Sequence, residues 1–140
     1  MTLPQAMRVG AIMRPHQEFR SFFGDALSSC ALGAAAEGAG LKKWQDMSVD
    51  YVTPYEFLKE RFADEMDTIL RPTCKSSLAM NCGRERPITS VYSLVKHLND
   101  DHRLTREEIA DCLEAVLSGR VFTCSDGTVV EPANLKGATP

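Results

Sequence analysis

The stretch His97-Leu-Asn-Asp-Asp-His102-Arg-Leu-Thr-Arg-Glu-Glu-Ile-Ala-Asp-Cys112 constrains the fold most, because it spells the end of one helix, a tight polar connection and the start of the next. Thr105 followed three residues later by Glu108 predicts a capping box. Leu104 before that cap, with Ile109 at the fourth helical position, predicts a hydrophobic staple that fixes the entry angle of the second helix. Upstream, Val91, Leu94, Val95 and Leu98 recur at helical spacing; downstream, Ile109, Cys112, Leu113, Val116 and Leu117 form the facing stripe. Gly119 closes the second helix. Residues 121–130 then read as a β-hairpin around a type I′ turn at Asp126-Gly127.

The rest of the chain yields fewer elements. Residues 1–14 show no clean period, and Pro15 permits a short helix from Gln17 to Phe23 that ends at Gly24. Ser28-Ser29 offers a cap for a helix of small residues, Cys30-Ala-Leu-Gly-Ala-Ala-Ala-Glu37, with Gly38 and Gly40 as its exit. Those glycines follow no predicted strand and lack the lysine and hydroxyl of a Walker loop, so packing explains them better than phosphate binding. Thr53-Pro54-Tyr55-Glu56 is a second capping box, with proline at the first helical position. It opens an amphipathic helix with Tyr55, Leu58, Phe62, Met66 and Ile69 on one face, ending before Pro72. Residues 71–87 hold Pro72, Cys74, Cys82-Gly83 and Pro87 without sustained periodicity, and an irregular segment of that length implies that something organises or uses it.

The expected architecture is a mainly α, single compact domain over residues 1–140, with about five short helices, a C-terminal β-hairpin and a loose tail over 131–140. A chain of 140 residues suffices for one core, and its balance of 44% hydrophobic and 25% charged residues is that of an ordinary globular protein. Five cysteines at irregular spacing argue against a secreted disulfide framework, and no charged region followed by an apolar run opens the chain. A bacterial cytoplasmic location is therefore expected, with no membrane span.

Three constellations are candidates for chemistry. Cys74, Cys82, His97 and His102 have the Cys-Cys-His-His order and the histidine gap of a tetrahedral zinc site, since thiolate and imidazole match zinc's preference for sulfur and nitrogen. Seven residues separate the cysteines, where a zinc knuckle has two to four. The alternative is a pair of ordinary loop thiols and a histidine favoured by the negative end of a helix. The second constellation is a helix-turn-helix-like corner over 91–117, with Arg84, Arg86, Lys96, Arg103 and Arg106 as candidate contacts to a partner or to nucleic acid. A DNA reader needs a third helix after the turn, where this sequence turns into a hairpin, and a net charge of −3 opposes broad phosphate binding. Catalysis is the third. Asp100, Asp101 and His102 adjoin, but neighbouring side chains at a helix end point apart, so no catalytic residue is assigned and no enzyme is expected.

Ser29-Cys-Ala-Leu-Gly-Ala-Ala35 with Gly40, and His97-Leu-Asn-Asp-Asp-His102 with Thr105-Arg-Glu-Glu-Ile-Ala110, resemble two signatures of small uncharacterised bacterial and phage proteins. Some of those carry a closely spaced cysteine pair before the second signature, and Cys74 and Cys82-Gly83 would be the counterpart, at wider spacing. The resemblance implies a phage or mobile-element origin and carries no activity with it. The function expected is that of a non-catalytic accessory protein, a regulator or inhibitor that binds a host protein, with a homodimer as another form of association. The alternative is a zinc-stabilised or helix-turn-helix-like regulator that contacts nucleic acid.

Overall fold

The computed structural model describes residues 1–42, 53–74 and 89–133. The first helix, α1 (Leu3–Met13), was not expected, although its signal is local: Thr2 accepts from the Gln5 N–H, the Gln5 side chain returns to the Thr2 N–H, and Pro4 occupies the first turn. Two short strands, β1 (His16–Gln17) and β2 (Ser28–Ser29), pair in parallel. They replace the helix expected from Gln17 to Phe23. Its backbone groups bond elsewhere: the Glu18 N–H donates to Ser29 O, Phe22 O accepts from Cys30 N–H, and Arg20 has a left-handed φ of 65°.

The helix of small residues is α2 (Ala31–Gly38), capped by Cys30, whose Sγ accepts from the Gly33 N–H at 3.3 Å, while Ser28-Ser29 belongs to β2. Residues 31–37 are all buried, as expected of a helix apolar all round but for Glu37. It lies against α1 at backbone contact distance: a Cβ on Gly10 would stand 1.8 Å from Ala34 O, and one on Gly38 would stand 1.9 Å from Ala6 O. One end of this pair is fixed by a buried bidentate ion pair, Arg14 Nε to Glu37 Oε1 at 2.6 Å and Arg14 Nη2 to Glu37 Oε2 at 2.7 Å.

The helix starting at Pro54 stops sooner than its stripe predicts. Phe62 takes φ −127°, ψ 45°, which divides α3 (Pro54–Arg61) from a single turn, α4 (Ala63–Met66). Ile69, read as helical, instead opens a strand, β3 (Ile69–Thr73). This strand lies between β4 (Thr89–Ser90) and β6 (Val129–Pro132), and β6 also pairs with β5 (Phe122–Thr123), all antiparallel. Among the described residues β4 pairs with Ile69 and Leu70, so the missing N–H of Pro72 interrupts none of the ladder described on that side.

With 49% helix, 17% strand, six helices and two sheets among the described residues, the fold is mixed α/β and not mainly α. The long-range pairing of β3 with β6 is what the hydrophobic pattern of the intervening chain did not reveal. α5 (Val91–Asp100) and α6 (Arg106–Leu117) form the anticipated corner, and one buried cluster draws side chains from all six helices. Thr105 caps α6, accepting from the Glu108 N–H at 3.1 Å, but the box is not closed: the Glu108 carboxylate bonds Ser125 N and Oγ, both at 2.7 Å. The hairpin turn also differs from expectation. Gly127 has φ 89° whereas Ser125 and Asp126 have no positive φ, and the Cys124 N–H donates to Thr128 O. This is a three-residue loop ending in a left-handed glycine, and type I′ would need Asp126 left-handed as well.

Candidate metal centre

Cys74 directly follows β3, His97 sits in the last turn of α5, and His102 lies just beyond that helix in the corner. The corner turns back through Arg103, at φ 53°, whose guanidinium lies 4.6 Å from the centre of the Phe19 ring. The Leu104 N–H donates to Leu98 O, closing the loop that holds His102 under α5.

These three residues converge. Cys74 Sγ is 3.4 Å from His97 Nε2, and His97 Nε2 is 3.1 Å from His102 Nε2. All three ligand atoms lie within 4.8 Å of one another, so they form a group that can hold a metal ion. The imidazoles meet edge to face, with planes at 80°.

Each histidine is held from behind by a carboxylate. His97 Nδ1 is 2.6 Å from Asp101 Oδ2, one helical turn along, and His102 Nδ1 is 2.6 Å from Asp126 Oδ2 in the hairpin loop. Asp126 is itself fixed by the Thr128 N–H, 3.0 Å from its other oxygen. Burial would raise the Asp126 carboxyl, yet its hydrogen bonds with His102 and Thr128 hold it below the ordinary value. A carboxylate at Nδ1 places the ring proton there and leaves the Nε2 lone pair facing the other ligand atoms. Two lone pairs 3.1 Å apart, facing a sulfur, repel one another unless a proton or a metal cation lies among them.

Of the four residues expected to ligate, the structure brings together Cys74, His97 and His102; Cys82 lies outside the described residues. Asp101, named in the sequence only as a catalytic candidate, and Asp126 were not anticipated as supports of the histidines. Asp101 had a signal, since it lies four residues from His97 on one helix face. Asp126 had none, because only the tertiary packing of the hairpin brings it to His102. Asp100 points away, its Oδ1 accepting from the Arg20 N–H, whereas Asp101 and His102 both reach the His97 ring, at Nδ1 and Nε2, so the expected divergence holds for Asp100 alone.

Arg84 and Arg86 also lie outside the described residues. Lys96 and Arg103 are exposed, whereas Arg106 is buried and structural. Its Nη1 donates to Arg14 O at 2.7 Å and Ser29 Oγ at 3.1 Å, which removes it from any surface contact. Asn99, also unanticipated, is 1% exposed and joins three elements: Oδ1 accepts from Gln17 Nε2 and the Ala31 N–H, and Nδ2 donates to Glu18 O and Asp100. No family model, curated protein or solved structure matches the chain.

Proposed function

We propose that the chain is a non-catalytic, zinc-stabilised domain that acts through a protein partner. The observation that carries the zinc reading is the convergence of two carboxylate-backed imidazoles on Cys74. Zinc bonds of about 2.0 Å to nitrogen and 2.3 Å to sulfur put neighbouring tetrahedral ligands about 3.3 Å (N to N) and 3.6 Å (N to S) apart. The 3.1 Å and 3.4 Å separations are close to those values. Cys82 is the fourth ligand offered by the sequence, and a closed four-ligand site of this kind is structural, holding the chain together rather than activating water.

Protein purified without chelator is expected to contain close to one zinc per chain, and His102→Ala or Cys74→Ser to lose most of it. Chelation should lower the Tm, because the binding energy of a structural metal is folding energy. Absence of zinc, together with no effect of chelator, would sink the reading. Cobalt substitution counts the thiolates: Cys82→Ser should remove about half of the sulfur-to-cobalt charge-transfer band.

The burial of Arg106 favours a protein over nucleic acid as partner, since it withdraws one of the few cations near the corner, in a chain of net charge −3. Phosphate contacts would make association fall steeply with salt. The expected result is no shift of single- or double-stranded DNA at physiological salt. A salt-sensitive shift weakened by Arg103→Ala would replace this reading with a nucleic-acid-binding one.

A further inference from the structure

On the face of α5 that carries Tyr92 and Lys96, a cleft of about 140 Å³ opens against the start of α2 and the segment around Arg20. Phe22, Leu32 and Tyr92 supply apolar walls, and Arg20 and Lys96 line it as cations. Part of the wall is the Cys30 thiol, which burial pushes up to about 11, so it meets an occupant as a neutral group. A void of about 150 Å³ lined by apolar side chains holds benzene. This one therefore has room for a single ring.

Its charge is not self-cancelling. Asp100 also lines the cleft, but Oδ1 of its carboxylate already accepts from the Arg20 N–H and from Asn99 Nδ2, both at 2.8 Å. Neither the Arg20 guanidinium nor the Lys96 ammonium has an ion-pair partner among the described residues. The α2 N-terminus adds its positive end beside Cys30 and Leu32. The left-handed φ of Arg20 is a conformation that a non-glycine residue keeps only where its surroundings impose it, here through its bond to Asp100.

We propose that this cleft binds a small aromatic carboxylate, the ring between Phe22, Leu32 and Tyr92 and the carboxylate between Arg20 and Lys96. The site shares no ligand with the metal centre, so it stands or falls separately. The test is a ¹⁵N-resolved titration of the full chain as purified with benzoate, beside its neutral analogue benzamide and the cation benzylamine. Benzoate is expected to give saturable shifts at residues 20–22, 30–32 and 92–100 with a millimolar Kd. Benzamide and benzylamine should bind at least about tenfold more weakly. Lys96→Gln, on the surface and without effect on folding, should weaken benzoate about tenfold and leave benzamide unchanged. Leu32→Trp should fill the cleft and abolish binding; if it fails to fold, the Lys96 and Arg20→Gln variants decide. Three results would each overturn the proposal: no saturable shift with benzoate, equal binding of benzamide and benzoate, or unaltered benzoate binding by both cation variants.

Discussion

Cys30 combines three roles in one side chain: it caps α2 through its sulfur, lies 7% exposed in the core, and lines the cleft beside α5. Burial raises its thiol from 9.0 to about 11. The unfolded chain then loses this proton at lower pH than the folded one, so the associated stability is complete below about pH 9 and disappears as pH rises through about 11. Two units correspond to about 2 to 3 kcal/mol at most. Denaturant midpoints measured from pH 8 to 11 should fall less for Cys30→Ala than for the parent chain, even though the variant starts lower through loss of the cap. Parallel pH profiles would show that this thiol is not held protonated by the fold. The contrast between Asp101 and Asp126 belongs to the same scale. A residue four positions along a helix can be inferred from sequence, and Asp101 could have been read as the support of His97. Asp126 reaches His102 only because β5 and β6 fold over α6, a placement that no local spacing encodes.

At the scale of elements, what was legible depended on where the signal lay. The α5–α6 corner, the start of α3 at Thr53 and the hairpin after Gly119 were readable because a cap, a stripe or a turn residue within a few positions specifies each. α1 was equally readable from Thr2, Pro4 and Gln5, and was missed because its apolar residues do not show a clean period. β3 was not readable: Ile69 continues the helical spacing of Met66, and only pairing with Val129 and Val130, some sixty residues on, makes it a strand. The same distinction governs glycine. Gly10 is helical and ordinary in sequence, yet alanine there would overlap the backbone of Ala34 at 1.8 Å from its oxygen, and two packed helices cannot both yield. Gly10→Ala is expected to cost about 3 kcal/mol or more despite the gain in helix propensity. Gly40→Ala meets no atom within 4 Å and bears only the strain of φ +112°, expected at about 1 kcal/mol. Urea melts of the two variants check this order. Equal costs would mean that α1 and α2 are not in backbone contact.

Across the whole molecule, the candidate metal centre draws on segments that are far apart in sequence: the end of β3, the α5–α6 corner and, through Asp126, the hairpin loop. Glu108 fastens that loop to α6 through Ser125, and the β3–β6 register fastens its second strand to the sheet. The packing of α1 is secured by other means, the α1–α2 contact, the Arg14–Glu37 ion pair and the salt bridges of Arg8 to Asp111 and Glu114 of α6. Loss of the proposed ion should therefore act unevenly. Without it the two Nε2 lone pairs face each other 3.1 Å apart, so one ring must turn away unless a proton bridges them, and a ring that turns loosens its carboxylate and the loop that carries it. In hydrogen exchange of the intact chain, chelator should speed exchange at residues 101–104 and 122–130 well before it affects α1 and α2. Asp126→Asn should reproduce part of the loop effect with metal present, because the amide still fits the space but gives up the charge that supports His102. Uniform acceleration across both halves would mean that the metal stabilises the fold as one cooperative unit, and unchanged exchange near the hairpin would mean that the loop does not depend on the centre at all.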